Sequence, residues 1–344
     1  MTVASPHETS AASIPLAFHR LRVDAPSSPA QASLLGARIL GDAGFGARLL
    51  APAGRWSDAW SSGGAAIEHA QHGCVRYATD GHWLHGVAEI DDAAHPDGLA
   101  GATRQAYADL FAVLEDSRTP HLLRLWNYIA GINVETGGSE RYRQFNAGRQ
   151  QAFLEAQRSA FEGSPAACAL GTRSGPLRVY FLAGRRAPLA IENPRQVSAY
   201  RYPTAYGPRA PTFSRAALAE IGGGRQALFI SGTASIVGHE TLHLGDVRRQ
   251  TLESLANIAV LREIAAQRAG QAFPADALIY TVYVRHAADL AGVRDEFERH
   301  VGAGSVAARQ ALYLEADICR APLLVEIEAH AFVGAVPTSA KDTP

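Results

Sequence analysis

Glu326 and Glu328 lie in the run Leu323-Leu-Val-Glu-Ile-Glu-Ala329 near the C-terminus. In a strand, side chains alternate faces, so both carboxyls point one way and Val325 and Ile327 the other. A carboxyl set among apolar neighbours holds its proton, because desolvation disfavours the charged form. A general acid working at neutral pH needs that property. Glu326 and Glu328 are both candidates for that acid.

Two arginine-rich stretches could hold an anionic substrate. One is Arg141-Tyr-Arg-Gln-Phe-Asn-Ala-Gly-Arg149, and the other is Tyr200-Arg-Tyr-Pro-Thr-Ala-Tyr-Gly-Pro-Arg209. Guanidinium forks bind carboxylates bidentately, and tyrosine hydroxyls add neutral donors. Prolines stiffen the second stretch. Arg149, Tyr202, Tyr206 and Arg209 are therefore candidate clamps for a small dicarboxylate. The alternative for each arginine is a solvated surface charge. Ser231-Gly-Thr-Ala-Ser235 interrupts an otherwise good strand. Glycine inside a strand marks close approach of a ligand or backbone, or else a bulge with small residues packed beneath a helix. Cys319 reads either as a small buried hydrophobe or as a pocket wall beside Glu326.

His239-Glu-Thr-Leu-His243 matches H-E-x-x-H, the signature of zinc metallohydrolases, with Glu263 available as a third ligand. That chemistry needs both histidines on one face of a continuous helix. Gly238 precedes the motif and Gly245-Asp246 follows it. These flanks predict a strand-to-helix connection, so no metal is expected here.

These groups need a scaffold. The 344 residues suffice for two domains, and 47% hydrophobic content allows a large core. Net charge is -1, from 32 basic and 33 acidic residues, which points away from nucleic acid and membrane surfaces. Cys74, Cys168 and Cys319 are widely spaced and odd in number, which argues against a disulfide framework. The first 15 residues lack a signal-peptide pattern, and no apolar run is long enough to span a bilayer. A cytoplasmic protein is expected. The Ala, Gly and Arg bias, with almost no Lys, is that of a GC-rich bacterial genome.

Strands are expected near Leu34–Leu40, Ala65–Arg76, Trp83–Ile90, Leu122–Ile132, Leu177–Ala183, Ala227–Val237, Ala277–Arg285, Leu312–Ile318 and Leu323–Phe332. Helices are expected from Asp97 through Leu114, over Arg141–Phe161, from an N-cap at Asp246 to Ala269, and over Val293–Val301. Leu252, Leu255, Ile258, Leu261 and Ile264 step by three along the long helix as its apolar face. The chain ends, before about residue 12 and after Val333, read as loose. Gly163-Ser-Pro165 suggests a division into domains 1–165 and 166–344. The order implies an α+β fold of mixed sheets with helices packed on one face.

From Leu228 to Phe332 the chain resembles the RidA/YjgF superfamily, on Phe229-Ile-Ser-Gly-Thr233, Gln250-Thr-Leu-Glu-Ser-Leu-Ala-Asn-Ile258, Thr281-Val-Tyr-Val284 and Val325-Glu-Ile-Glu-Ala329. The whole chain resembles the chorismatases more closely, on the two arginine-rich stretches and Ala316-Asp-Ile-Cys-Arg320. Chorismatases share the RidA-like fold and remove the enolpyruvyl group of chorismate as pyruvate. The resemblance implies Glu326 as the essential acid. Gly232 and Cys319 are similar to the residues of the branches that form 3-hydroxybenzoate, with 4-hydroxybenzoate as a further product. Thr233 and Arg320 join Arg149, Tyr202, Tyr206, Arg209 and Gly232 as the expected substrate-binding set. No cofactor is implied, and RidA-like folds imply a trimer, or a monomer if two domains meet internally. Ala311 stands where RidA proteins place a carboxylate-binding Arg, which disfavours imine deamination. The competing readings are a zinc hydrolase and a RidA-like binder without catalysis.

Overall fold

The computed structural model describes residues 14–23, 33–64 and 66–334. The chain ends expected to be loose fall almost wholly outside these residues. Two seven-stranded sheets carry the fold. The first runs Asp317–Ile318, Ala166–Thr172, His121–Ala130, Leu177–Gly184, Trp83–Ile90, Val75–Thr79, Glu68–His72. The second runs Leu189–Ile191, Ala216–Glu220, Gln226–Ala234, Val325–Val333, Ile279–Val284, Leu312–Glu315, Arg48–Ala51. A three-stranded sheet of Leu16–Arg22, Trp56–Ser62 and Leu34–Leu40 adjoins them.

Each large sheet is covered by helices on one face. Helices α1 (Gly98–Asp116) and α2 (Arg141–Glu155) pack on the first sheet through Tyr107, Leu110, Phe111, Phe145 and Phe153. Helices α3 (Val247–Ala269), α4 (Leu290–Val301) and α5 (Val306–Gln310) pack on the second through Leu255, Ile258, Leu261, Val293 and Phe297. The other two sheet faces share a central core with the small sheet, including Trp60, Trp126, Phe229, Tyr283 and Leu314. The α+β class with helices on one face of each sheet is as the element order implied. At the α1–α2 crossing, Gly148 has no Cβ because one would overlap the Ala100 carbonyl. This absence lets the two helix backbones approach closely.

Strand pairing crosses the division expected at residue 165. Ala166–Thr172 pairs in parallel with His121–Ala130, and Leu177–Gly184 pairs antiparallel with that same strand. Two exchanges tie the halves further. Arg48–Ala51 joins the second sheet beside Leu312–Glu315, and Asp317–Ile318 joins the first beside Ala166–Thr172.

Several elements differ from the sequence expectation. Ala166–Thr172, Ala216–Glu220, Leu16–Arg22, Arg48–Ala51 and Trp56–Ser62 are strands that local propensity does not announce. The first two are rich in Ala, a poor strand former. They are held by burial on both faces instead, with Cys168 toward the central core and Ala167 and Ala169 toward the helices. Ala65–Arg76 resolves into two strands around Gly73, whose φ is 51°. Helix α2 stops at Glu155, short of Phe161. Asp246 does cap α3, accepting from the Arg249 backbone N–H at 3.0 Å. Leu252 is 46% exposed, because a strict three-residue step drifts off the face of a 3.6-residue helix.

Candidate active site

The site forms where Gln226–Ala234 pairs with Val325–Val333. The register shifts between Ile230, opposite Ala329, and Thr233, opposite Ile327. One extra residue bulges the first strand there. Ser231 pins the bulge, donating to the Ser214 carbonyl at 2.6 Å and accepting from the Ala167 N–H at 2.9 Å. Gly232 is thereby pressed against Glu326. A Cβ at position 232 would overlap Glu326 Oε1 and stand 2.9 Å from the Cys168 Cβ. The bulge is realised, and the group that closely approaches Gly232 is the Glu326 side chain. Thr233 is buried, donates to the Ser231 carbonyl at 2.8 Å, and faces away from the cavity.

Glu326 is 3% exposed and lines a cavity of ≈ 300 Å³. Burial pushes its carboxyl up to about 8, with a further rise from Glu328 and an opposing pull from Arg124. The carboxyl is thus neutral at pH 7 and can donate a proton. Cys319 forms an adjoining wall. Burial, then the nearness of Glu326, pushes its thiol up to about 12, so it is an uncharged surface and no nucleophile.

Guanidinium and phenol groups, with Glu140 and Thr241, make the remaining polar wall. Arg320 lies over the Tyr206 ring at 3.9 Å and the Tyr202 ring at 4.8 Å. Its Nη1 donates to the His239 carbonyl at 2.8 Å. Arg215 donates to Tyr202 Oη at 2.8 Å and the Val197 carbonyl at 2.7 Å. Arg149, 1% exposed on α2, borders a second chamber of ≈ 30 Å³ beneath the first. The two chambers share Tyr142, Phe213, Gly232, Cys319 and Glu326. Arg149 Nε, Arg215 Nε and Arg320 Nη2 are buried without an acceptor among the described residues. Buried donors of this kind are costly unless a ligand meets them. A dianionic carboxylate ligand suits these donors and this volume.

The fold therefore brings together Glu326, Cys319, Gly232, Arg320, Tyr202, Tyr206 and, in the lower chamber, Arg149. Arg209 is exposed and is not part of the cavity wall. Its turn, closed by Gly207, carries it outward, and Arg215 lines the cavity instead. Arg215 and Tyr142 were not singled out by sequence. Tyr142 sits inside the first arginine-rich stretch, which is the only signal it carries. Arg215 stands alone before a strand, with no local pattern to mark it.

His239-Glu-Thr-Leu-His243 forms no helix. Ile236–Val237 and Glu240–Thr241 make a small hairpin, with His239 in its turn. His239 Nδ1 meets Tyr206 Oη at 3.2 Å, whereas His243, at φ 57°, meets Glu253 at 3.3 Å. The motif's metal-binding geometry, which needs one helical face, is not formed.

Comparison with known proteins agrees with this geometry. A family model described as chorismatase FkbO/Hyg5-like, N-terminal, matches residues 58–183. A 3-hydroxybenzoate synthase of Streptomyces hygroscopicus is 39% identical over 275 residues, spanning 77% of this chain and 78% of that protein. A chorismatase of Streptomyces rapamycinicus is 38% identical over 79% of this chain and 81% of its own length. The crystal structure of a chorismatase superposes with a TM-score of 0.82 at 30% identity, covering 93% of this chain and 99% of the other.

Proposed function

This chain belongs to the chorismatase family, and on that premise we propose that it converts chorismate to 3-hydroxybenzoate and pyruvate. The observation that carries the reading is a buried Glu326, its carboxyl pushed up by burial, facing a cavity bordered by three arginines that each keep one buried nitrogen without an acceptor among the described residues. Chorismate offers two carboxylates and an enol ether. Arg215, Arg320 and Arg149 take the carboxylates, with Tyr202 and Tyr206 backing the cation wall.

Glu326 donates its proton to the enolpyruvyl methylene, forming a C–H bond and leaving an oxocarbenium carbon. Oxygen attack on that carbon and cleavage of the ether release pyruvate. If water attacks and the reaction stops, one water is consumed and a diene diol remains. The aromatic product contains no added water, since chorismate holds every atom of 3-hydroxybenzoate plus pyruvate. Either the diol loses a water, or the ring hydroxyl acts in place of water. The proton given up as the ring aromatises restores Glu326. General acid catalysis of this kind contributes about 10²–10⁴-fold, and positioning supplies the rest. Gly232 gives room for Glu326, and Cys319 presents a small apolar surface that favours the aromatic route over capture by water. We place the enzyme in the cytoplasm, consistent with three free cysteines.

The test is incubation of purified protein with chorismate, followed by chromatography for pyruvate and phenolic acids. Equal amounts of pyruvate and 3-hydroxybenzoate are expected. Unconsumed chorismate would overturn the reading.

A further inference from the structure

Glu328 takes no part in the proton transfer described above, yet both its oxygens are held. Oε1 accepts from Arg38 Nη2 at 3.3 Å and from Tyr283 Oη at 3.1 Å. Oε2 accepts from Arg124 Nη2 at 2.6 Å. The three donors come from three different sheets: Arg38 from Leu34–Leu40, Arg124 from His121–Ala130, Tyr283 from Ile279–Val284. Arg38 is itself held on several sides. It is 1% exposed, bonds Tyr128 Oη at 2.8 Å and Asp58 at 3.1 Å, and lies 4.2 Å over the Trp126 ring. Glu328 cannot give up its charge without leaving Arg124 with no anion and Arg38 with one fewer.

The two glutamates share one strand face, a spacing of about 7 Å along the backbone. Buried Cys168 borders the lower chamber beside Glu326. Other groups face Glu326 from every packed element. They are Arg124 and Cys168 of the first sheet, Tyr142 and Arg149 of α2, and Arg215, Cys319 and Arg320 at the cavity wall. Arg124 pulls toward ionisation, but its Nη2 is committed to Glu328.

We propose that Glu328 is a positioning residue for the reaction: a carboxylate clamped by Arg38, Arg124 and Tyr283 whose negative charge, added to burial, disfavours a second charge on the neighbouring Glu326. Like charges this close in a dry interior cannot both form readily. Burial would raise Glu328 too, but Arg38 and Arg124 outweigh it and hold Glu328 below the usual carboxylate range. The same burial, without those cations in contact, leaves Glu326 raised. One strand thus carries two carboxyls with opposite protonation, sorted by which of them the N-terminal half can reach with arginine. The proposal rests on Glu326 being the acid.

Two readouts test it, one with substrate and one without. The first is the pH dependence of kcat/KM. The second is the infrared band of a protonated carboxyl in the substrate-free protein, assigned to Glu326 by its loss in Glu326→Gln. In Glu328→Gln the midpoint of both falls by about one pH unit or more. In Glu328→Asp, which keeps the charge, both midpoints stay near the wild-type value. A Glu328→Gln protein that is slower but titrates at the wild-type midpoint would reduce Glu328 to a structural support. If Glu328→Gln fails to fold, the wild-type band and Glu328→Asp decide. A Glu326 band lost at ordinary carboxyl pH, or a midpoint that falls in the Asp variant, overturns the proposal. The infrared arm needs no chorismate, so a wrong substrate assignment would show as absent turnover with these titrations intact.

Discussion

Gly232 and Glu326 occupy what would be one side chain's volume: a methyl on the glycine would sit inside the carboxyl's Oε1. The bulge that causes this is held by Ser231 to two neighbouring segments, so the backbone cannot simply recede. Gly232→Ala must therefore displace the carboxyl from its place in the cavity. A loss of at least tenfold in kcat is expected, with KM changed much less, because the arginine wall is untouched. Steady-state kinetics check this, and a variant with wild-type kcat would show that the carboxyl has freedom the packing denies it.

Replacement of Glu326 by Gln keeps the shape and removes the proton. Turnover should fall by about 10²–10⁴-fold with the circular dichroism spectrum unchanged. Retention of more than a tenth of the wild-type rate would remove Glu326 from the acid role.

The same carboxyl links pH to activity and stability. Activity requires the protonated form, so kcat/KM should be level below about pH 8 and fall above it. For stability the sign is also negative. Between the ordinary carboxyl value and about 8, the folded chain keeps a proton that the unfolded chain has lost. Stability from this group therefore declines as pH rises through that window. The penalty reaches about 3 kcal/mol by pH 7. Glu326→Gln should melt above wild type at pH 8 and converge with it toward pH 5, as followed by thermal denaturation.

Cys319 borders the acid and stays a thiol. Cys319→Ala should leave folding intact and admit water beside the oxocarbenium carbon. The ratio of diene diol to 3-hydroxybenzoate should rise. An unchanged ratio, measured by chromatography of the products, would reduce this side chain to packing.

Arg320→Lys tests the cation wall. Lysine keeps the charge but loses the planar stack on Tyr206 and Tyr202 and the fork that leaves Nη2 free. A fall in kcat/KM of about 10–100-fold is expected, since hydrogen bonds to charged groups contribute about 1.5–3 kcal/mol. A wild-type value of kcat/KM would place the substrate's carboxylates elsewhere.

A pair of candidate acids was legible because strand alternation and apolar neighbours are local properties, and residues 323–329 display both; the family resemblance then pointed to Glu326. The long helices were legible for the same reason, from their periodicity and from Asp246. Arg215 was not, because nothing within a few residues of it differs from a surface arginine. Its role arises when Tyr202 and the Val197 carbonyl fold over it. Arg209 carried the stronger local signal and lies outside the cavity. Ala166–Thr172 was hidden in a similar way, since a run of small residues becomes a strand only when both faces are covered.

Sequence alone determined the chemistry available to this protein: two carboxyls in an apolar strand, two stretches rich in arginine and tyrosine, and a glycine within a strand. These follow from residue type and from periods of two and 3.6, which act over a few residues. Tertiary structure decided which carboxyl keeps its proton and which arginines face it. Protonation depends on charges a few ångströms away, and those on Glu328 come from positions 38 and 124, far from it along the chain. Only the packing of the sheets brings them there.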